Sequence, residues 1–305
     1  MLKKIILFSL IFSIYFVTPL TVTHGNVSSL GSKDRPIKIA LVPGQDVKTL
    51  MLNGRVLEEH LQKELNLVFQ VVVPQNFIAV VESMGTERVD MAIMNSFGYI
   101  LASQKYKARA RMMGMFKGRP EYWGQIIAKV DGPKSMEDLN GKTFAFVDPA
   151  STSGYLLAQK ALLDHKIKLK EHVFAGKHDS VVNMVYQGRV DAGATYHTLP
   201  DNGKPQDARK LVATQYPDVW EKVKILKVTG PIPNDPIVFR AKFPTELENN
   251  IIKSMKVFIK TPKGHETMMN LYHMDDFKDA NDKDWDPLRK ILRDIDKSAE
   301  DFIKK

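Results

Sequence analysis

Thr143-Phe-Ala-Phe-Val147 is an almost wholly apolar run, and Asp148-Pro-Ala-Ser-Thr-Ser-Gly154 follows it directly. The run reads as a buried strand. Asp148-Pro149-Ala150 is a turn, and Ser151, Thr152 and Ser153 open an apolar stretch that reads as a helix. A strand that turns straight into a helix is the building unit of α/β folds. The same unit recurs upstream. Ile37 to Val42 reads as a strand stopped by Pro43-Gly44, and Leu50, Leu57, Leu61 and Leu65, with Val56 beside them, suit one helix face. Val68 to Val73 is a second strand, Phe77 to Met84 a helix and Val89 to Met94 a third strand, after which Asn95-Ser96 can cap another helix. This rhythm predicts an α/β domain with a largely parallel sheet.

The pattern restarts at mid-chain. Ser135 is a candidate N-cap for a short helix ending at Leu139, with Gly141 as its stop. Val181 to Tyr186 reads as a helix and Val190 to Thr195 as a strand. Ile225 to Val228 and Ile237 to Phe239 read as strands around a Pro-rich stretch, Pro231 to Pro236. Thr245 and Glu248 have capping-box spacing, and Trp285 to Lys305 reads as one charged surface helix. Two α/β units with a late Pro-rich return predict two lobes, a hinge, and a ligand cleft between them.

The bulk composition narrows the functional classes. The 305 residues, 44% hydrophobic and 26% charged, suffice for one large domain or two ordinary ones. The absence of cysteine excludes disulfides, Cys-ligated zinc, a thiol nucleophile and a lipid-anchored N-terminus. Residues 1–25 read as a signal peptide: Lys3 and Lys4 lead, Ile5 to Val17 is apolar, and Thr23 and Gly25 suit a cleavage site. The apolar run is shorter than the roughly 20 residues of a membrane span. The expectation is export to a periplasm, followed by a polar linker over residues 26–35. The net charge of +9 becomes +7 without Lys3 and Lys4. Its basic residues are dispersed and no basic-aromatic motif stands out, so nucleic acid is not an expected partner, while steering of small anions is.

Ser151, Thr152 and Ser153 place three hydroxyls at the start of a helix, where free N–H groups and the helix dipole favour an anion. Gly154 would let a ligand approach the backbone. The competing reading is plain helix capping. Asp235, in Ile232-Pro-Asn-Asp-Pro236, would repel a bare dianion but accept a hydrogen bond from a P–OH, and so would reject sulfate; otherwise it makes a turn before Pro236. His178 can donate to an oxyanion, and Tyr122-Trp123 can line a cleft, although such residues also serve capping and packing. No HExxH, GxSxG or SxxK motif occurs, and His172 and His178 lack a third partner for a metal. Neither catalytic residues, a cofactor nor a metal is expected.

With these residues in view, the chain resembles the phosphonate-binding proteins of ABC importers, a family that includes phosphite and related oxyanion binders. The resemblance rests on Val89-Asp90 with Asn95-Ser96, Tyr122-Trp123, Asp148-Pro-Ala-Ser-Thr-Ser-Gly154, Ala175-Gly-Lys-His178, Gly188-Arg-Val-Asp191-Ala-Gly and Pro233-Asn-Asp-Pro-Ile-Val238, in that order. It implies a type II periplasmic binding protein, with two α/β lobes joined by a two-strand hinge. The lobes would comprise residues 26–129 plus 232–305, and 130–231. It also implies that Ser151, Thr152, Ser153 and His178 hold the phosphonyl oxygens, with Tyr122 and Asp235 in the pocket and Asn95 and Ser96 nearby. Two positions depart from an aminoalkylphosphonate-binding relative. Phe77 replaces a ligand-contacting tyrosine, and Thr198 or Tyr196 replaces a glutamate that faces an amine. The implied role is capture of a small phosphorus oxyanion by a monomer that delivers it to an inner-membrane ABC permease. A sensor using the same site is the alternative, and a periplasmic phosphatase the remotest.

Overall fold

The computed structural model describes residues 29–295. The signal peptide read at residues 1–25 and the end of the helix read at 285–305 lie outside the described residues. The chain runs β1 (Ile37–Leu41), α1 (Val47–Leu65), β2 (Phe69–Val72), α2 (Phe77–Gly85), β3 (Met91–Ile93), α3 (Ser96–Tyr106) and β4 (Arg109–Met115). It continues through β5 (Glu121–Lys129), β6 (Thr143–Phe146), α4 (Leu157–Asp164), β7 (Glu171–Phe174), α5 (His178–Tyr186), β8 (Ala192–His197), α6 (Val219–Lys222) and β9 (Val223–Pro233). It closes with β10 (Pro236–Phe239), α7 (Thr245–Phe258), α8 (Pro262–Tyr272), β11 (Asp276–Asp279) and α9 (Asp286–Asp294).

Two sheets result, ordered β11-β4-β10-β3-β1-β2 and β7-β6-β8-β5-β9. Each has a parallel half, β2-β1-β3 and β7-β6-β8. The remaining pairs are antiparallel, so the sheets are mixed rather than largely parallel. β4, β5, β9 and β10, which lead into and out of the crossings between sheets, pair antiparallel, and β11 adds an antiparallel edge on β4. β5 is hydrogen-bonded into the second sheet. The first crossing therefore falls between Met115 and Glu121, not after residue 129, because β8 on one side and β9 on the other satisfy β5's backbone. The return crossing lies between Pro233 and Pro236. The two crossings run side by side, with Asn234 N donating to Pro120 O at 2.8 Å and Gly114 N to Asp235 O at 3.1 Å.

Strand alternation divides the core. Ile37, Ile39 and Leu41 of β1 join Leu50, Leu57 and Leu61 of α1 on one face of the first sheet. Ala40 and Val42 face the other way, into a cluster that continues through α2 and α3 to the second lobe. Trp285 belongs to that cluster. It is fully buried and packs edge-on against Tyr99, with ring centroids 4.6 Å apart. The segment from residue 285 thus begins as a buried anchor and not as a surface helix.

The capping box read at Thr245 and Glu248 does not form. Glu248 is fully buried and ion-paired with Arg111 and, at 2.7 Å, with Arg109, both on β4. A carboxylate held between two guanidiniums gains more than one bonded to a single helix N–H. Ser135 does accept from Asp138 N, at 3.3 Å, and Gly141 ends that turn with φ of 72°.

Gly154 also has a different task from the one its sequence context suggests. A Cβ there would lie 2.3 Å from Cγ2 of Val147, so glycine is needed to let the helix start pack on the end of β6. Gly154→Ala is expected to cost about 1–3 kcal/mol by overpacking. The loss should shrink in a Val147→Ala background. Strictly additive urea-denaturation energies for the two changes would contradict this packing account.

Candidate functional site

A cavity of about 90 Å³ is lined from both lobes. Holding one water takes roughly 10–15 Å³ of such space, so the cavity suits a few waters or one compact solute. Its walls gather helix beginnings. Gly44 and Gln45 precede α1, Phe77 begins α2, Asn95 precedes α3, Thr152 begins the turn leading to α4, and His178 begins α5. The first N–H groups of a helix have no partner within it and carry its positive dipole end. No lysine or arginine is among the lining residues.

The loop at 151–156 makes this wall from the second lobe. Leu156 N donates to Ser151 O at 3.0 Å and Leu157 N to Thr152 O, a π-helical turn of the kind that gathers at functional sites. Ser151 caps it by accepting from Gly154 N at 3.1 Å. Thr152 does something else. Its hydroxyl oxygen accepts from Phe97 N at 2.8 Å and from Asn95 Nδ2 at 3.0 Å, both in the first lobe. With its oxygen so engaged, its hydroxyl hydrogen is the group's remaining donor, directed to the side of the cavity where the Tyr122 phenol lies. Asn95 stands before α3 but does not cap it, because its amide is drawn across to Thr152 and to Ala150 O at 2.7 Å.

The structure brings Phe77, Asn95, Tyr122, Ser151, Thr152, Ser153, His178, Tyr196, Thr198 and Asp235 together around this cavity. It leaves Ser96 out. That hydroxyl donates to Pro233 O and accepts from Trp285 Nε1 at 2.8 Å, tying α3 to the return crossing. His178 Nδ1 is buried without a partner among the described residues, and burial pushes its imidazole down to about 3. A neutral ring keeps one N–H to donate. Asp235 Oδ1 is likewise buried and unpartnered among the described residues, and burial pushes its carboxyl up to about 7. The phenols of Tyr122 and Tyr272 are raised well above the usual range, by burial first and by Asp235's charge second.

Sequence reading missed Tyr272 and His273, at the end of α8. The signal was present, since Thr261-Pro262 is an N-cap followed by proline at the first helical position. His172 lies on exposed β7, apart from His178, and no group of three potential metal ligands occurs among the described residues. No helix among the described residues is long and apolar enough to cross a membrane.

Two α/β lobes joined by adjacent crossings, with a small cavity of mixed polar and apolar lining drawn from both, define a ligand-binding protein of the periplasmic type II class. Residues 39–285 match the family described as "ABC transporter, phosphonate, periplasmic substrate-binding protein", and the chain belongs to that family. The Phosphate-import protein PhnD of Mycolicibacterium smegmatis is 28% identical over 61% of this chain and 62% of its own length, so the match spans under two thirds of that relative. The Phosphonates-binding periplasmic protein of Escherichia coli is 21% identical over 85% of this chain and 76% of its own. The fold is shared with PhnD1 of Prochlorococcus marinus, solved in complex with methylphosphonate, at a TM-score of 0.73 and 17% identity over 86% of this chain and 98% of that one.

The Asp235 carboxyl gives a pH signature. Its folded-state pKa lies above its unfolded value of about 3.9, so the folded state holds a proton that the unfolded state has lost. Stability therefore falls as pH rises from about 4 to about 7 and stays low above. Asp235→Asn is expected to remove this loss and to stabilise the unliganded protein by about 2 kcal/mol at pH 8, allowing for partial solvent access. Parallel melting-temperature profiles of the two proteins across that range would refute the assignment.

Proposed function

We propose that the protein captures a small phosphorus oxyanion, a phosphonate, phosphite or phosphate, in this cavity and delivers it to an ABC permease. The observation that carries the reading is the Thr152 hydroxyl, whose oxygen is occupied from the first lobe and whose hydrogen is left to donate. Ser151, Ser153 and Tyr122 add hydroxyl donors, and His178 adds a neutral N–H. Asp235 accepts from a P–OH, which phosphorus oxyanions carry near neutral pH and sulfate does not. Phe77 provides an apolar wall beside the phosphorus substituent. Because Thr152 also ties the lobes, ligand capture and closure of the cleft are one event in this reading.

The test is a thermal-shift and calorimetric screen of phosphate, phosphite, methylphosphonate, 2-aminoethylphosphonate and sulfate. A true ligand at a hundred times its Kd stabilises the fold by about 2.7 kcal/mol. The expected result is binding of at least one phosphorus oxyanion and none of sulfate. Thr152→Ala should weaken that binding by roughly 1.5–3 kcal/mol, the worth of a hydrogen bond to a charged group, while Thr152→Ser retains it. Equal affinity for sulfate, or full affinity in Thr152→Ala, would sink the reading.

A further inference from the structure

The last turn of α8 brings Leu271, Tyr272 and His273 to the cavity. This turn is fixed from outside: Gln45 Nε2 donates to Asn270 O at 3.0 Å and to Leu271 O at 2.6 Å. His273 ends the helix in the left-handed region, with φ 53° and ψ 42°. Glycine is the usual residue at such a stop, and a side chain there carries a conformational cost. The ring that bears this cost faces Tyr196, with centroids 6.0 Å apart. Neither the His273 ring nor the Tyr196 hydroxyl makes a side-chain hydrogen bond among the described residues. Thr198 completes the group. Its hydroxyl donates to Gln206 O at 2.9 Å, so its oxygen is left only to accept.

None of these groups carries a formal charge. Burial, with Lys210 nearby, holds the imidazole neutral at about 4. A neutral imidazole and a phenol each both donate and accept, as an alcohol does. A methyl group would leave both unpartnered. An ammonium can only donate, and it would meet the field of Lys210. Of the carboxylates whose charge reaches Tyr196, Asp207 is paired with Arg209 at 2.9 Å and Asp179 acts more weakly, and those that line the cavity do not offset Lys210 either. Asp235 stands with Tyr122 and Tyr272, and Glu121 is half-buried and 3.9 Å from Arg119.

We propose that His273 and Tyr196 form a substituent subsite that selects phosphorus oxyanions bearing a small hydroxylated group over those bearing an alkyl or ammonium group. This rests on the reading that the cavity holds a phosphorus oxyanion. The two hydroxyls of Ser151 and Thr152 fix the oxyanion end, and His273 sets which substituent is accepted.

Calorimetric titration with methylphosphonate, hydroxymethylphosphonate and aminomethylphosphonate tests it, since the three differ at one terminal group. The protein is expected to prefer the hydroxymethyl over the methyl compound by about fivefold, the size of one net hydrogen bond, and to bind the aminomethyl compound most weakly. Two variants keep the backbone sound. His273→Gly suits the left-handed stop, and Tyr196→Phe removes only the hydroxyl. In each, the hydroxymethyl-to-methyl ratio should fall towards one. A wild-type ratio of one, a ratio unchanged in both variants, or tightest binding of the aminomethyl compound would overturn the subsite while leaving oxyanion capture standing. Binding of none of the three would overturn the subsite, and failure of phosphate and phosphite as well would overturn oxyanion capture with it.

Discussion

The oxygen of Thr152 accepts from Phe97 N and from Asn95 Nδ2, and this arrangement ties one end of the structure to the other. It joins the helix start after β6 in the second lobe to the helix start after β3 in the first. It also aims the threonine's remaining hydrogen. Neighbouring features serve that contact. Gly154 lets the turn sit close on Val147, and Asn95 gives up its capping role to reach across. Ser96, next to it, anchors α3 to the return crossing and to Trp285. A second tie works in parallel, since His178 N donates to Gly44 O at 3.2 Å and so joins the start of α5 to the loop before α1.

An anion site built without lysine or arginine must lower the cost of desolvation by other means. Here the means are geometric. Several helices begin at one cavity, and a helix start offers unpaired N–H groups already held in place. Hydroxyls supply further donors that can turn to suit the ligand. Within such a wall one carboxyl is tolerable only when it carries a proton or faces one. Burial gives Asp235 that property by raising its carboxyl to about 7. The same lack of solvent keeps His178 uncharged, so the donor it offers is an ordinary N–H and not a cation.

Much of the architecture was legible because apolar periodicity and turn residues mark strands and helix starts directly. β1, β2, β3 and β6 each appear within two residues of where Ile37, Val68, Val89 and Thr143 suggested. β4 and β5 were not legible. Their burial follows from partners far along the chain, β10 and β9, which local pattern does not reveal. The helix start at Ser151 to Ser153 was readable from composition, but not the division of labour within it, since Ser151 caps the turn while Thr152 reaches across to Asn95 and Phe97. The role of Ser96 was not, since a serine before a helix looks the same whether it faces a cavity or Trp285. Glu248 misled for a related reason: capping-box spacing is short-range, whereas Arg109 and Arg111 approach it from a strand nearly 140 residues away in sequence. His273 was missed although Thr261-Pro262 marks the start of α8, because its place at the cavity follows from where that helix stops.

The absence of lysine and arginine from the lining has a further consequence. Dissolved ions weaken attraction between exposed formal charges over about a Debye length, but they do little to dipoles in contact with a buried solute. The sequence carries a net charge of +9, or +7 without Lys3 and Lys4, and that excess draws anions from a distance. Its pull fades in a salty medium. The grip inside does not depend on it. Encounter and retention therefore answer to different surroundings: brine slows the arrival of the solute without loosening the hold on one already captured.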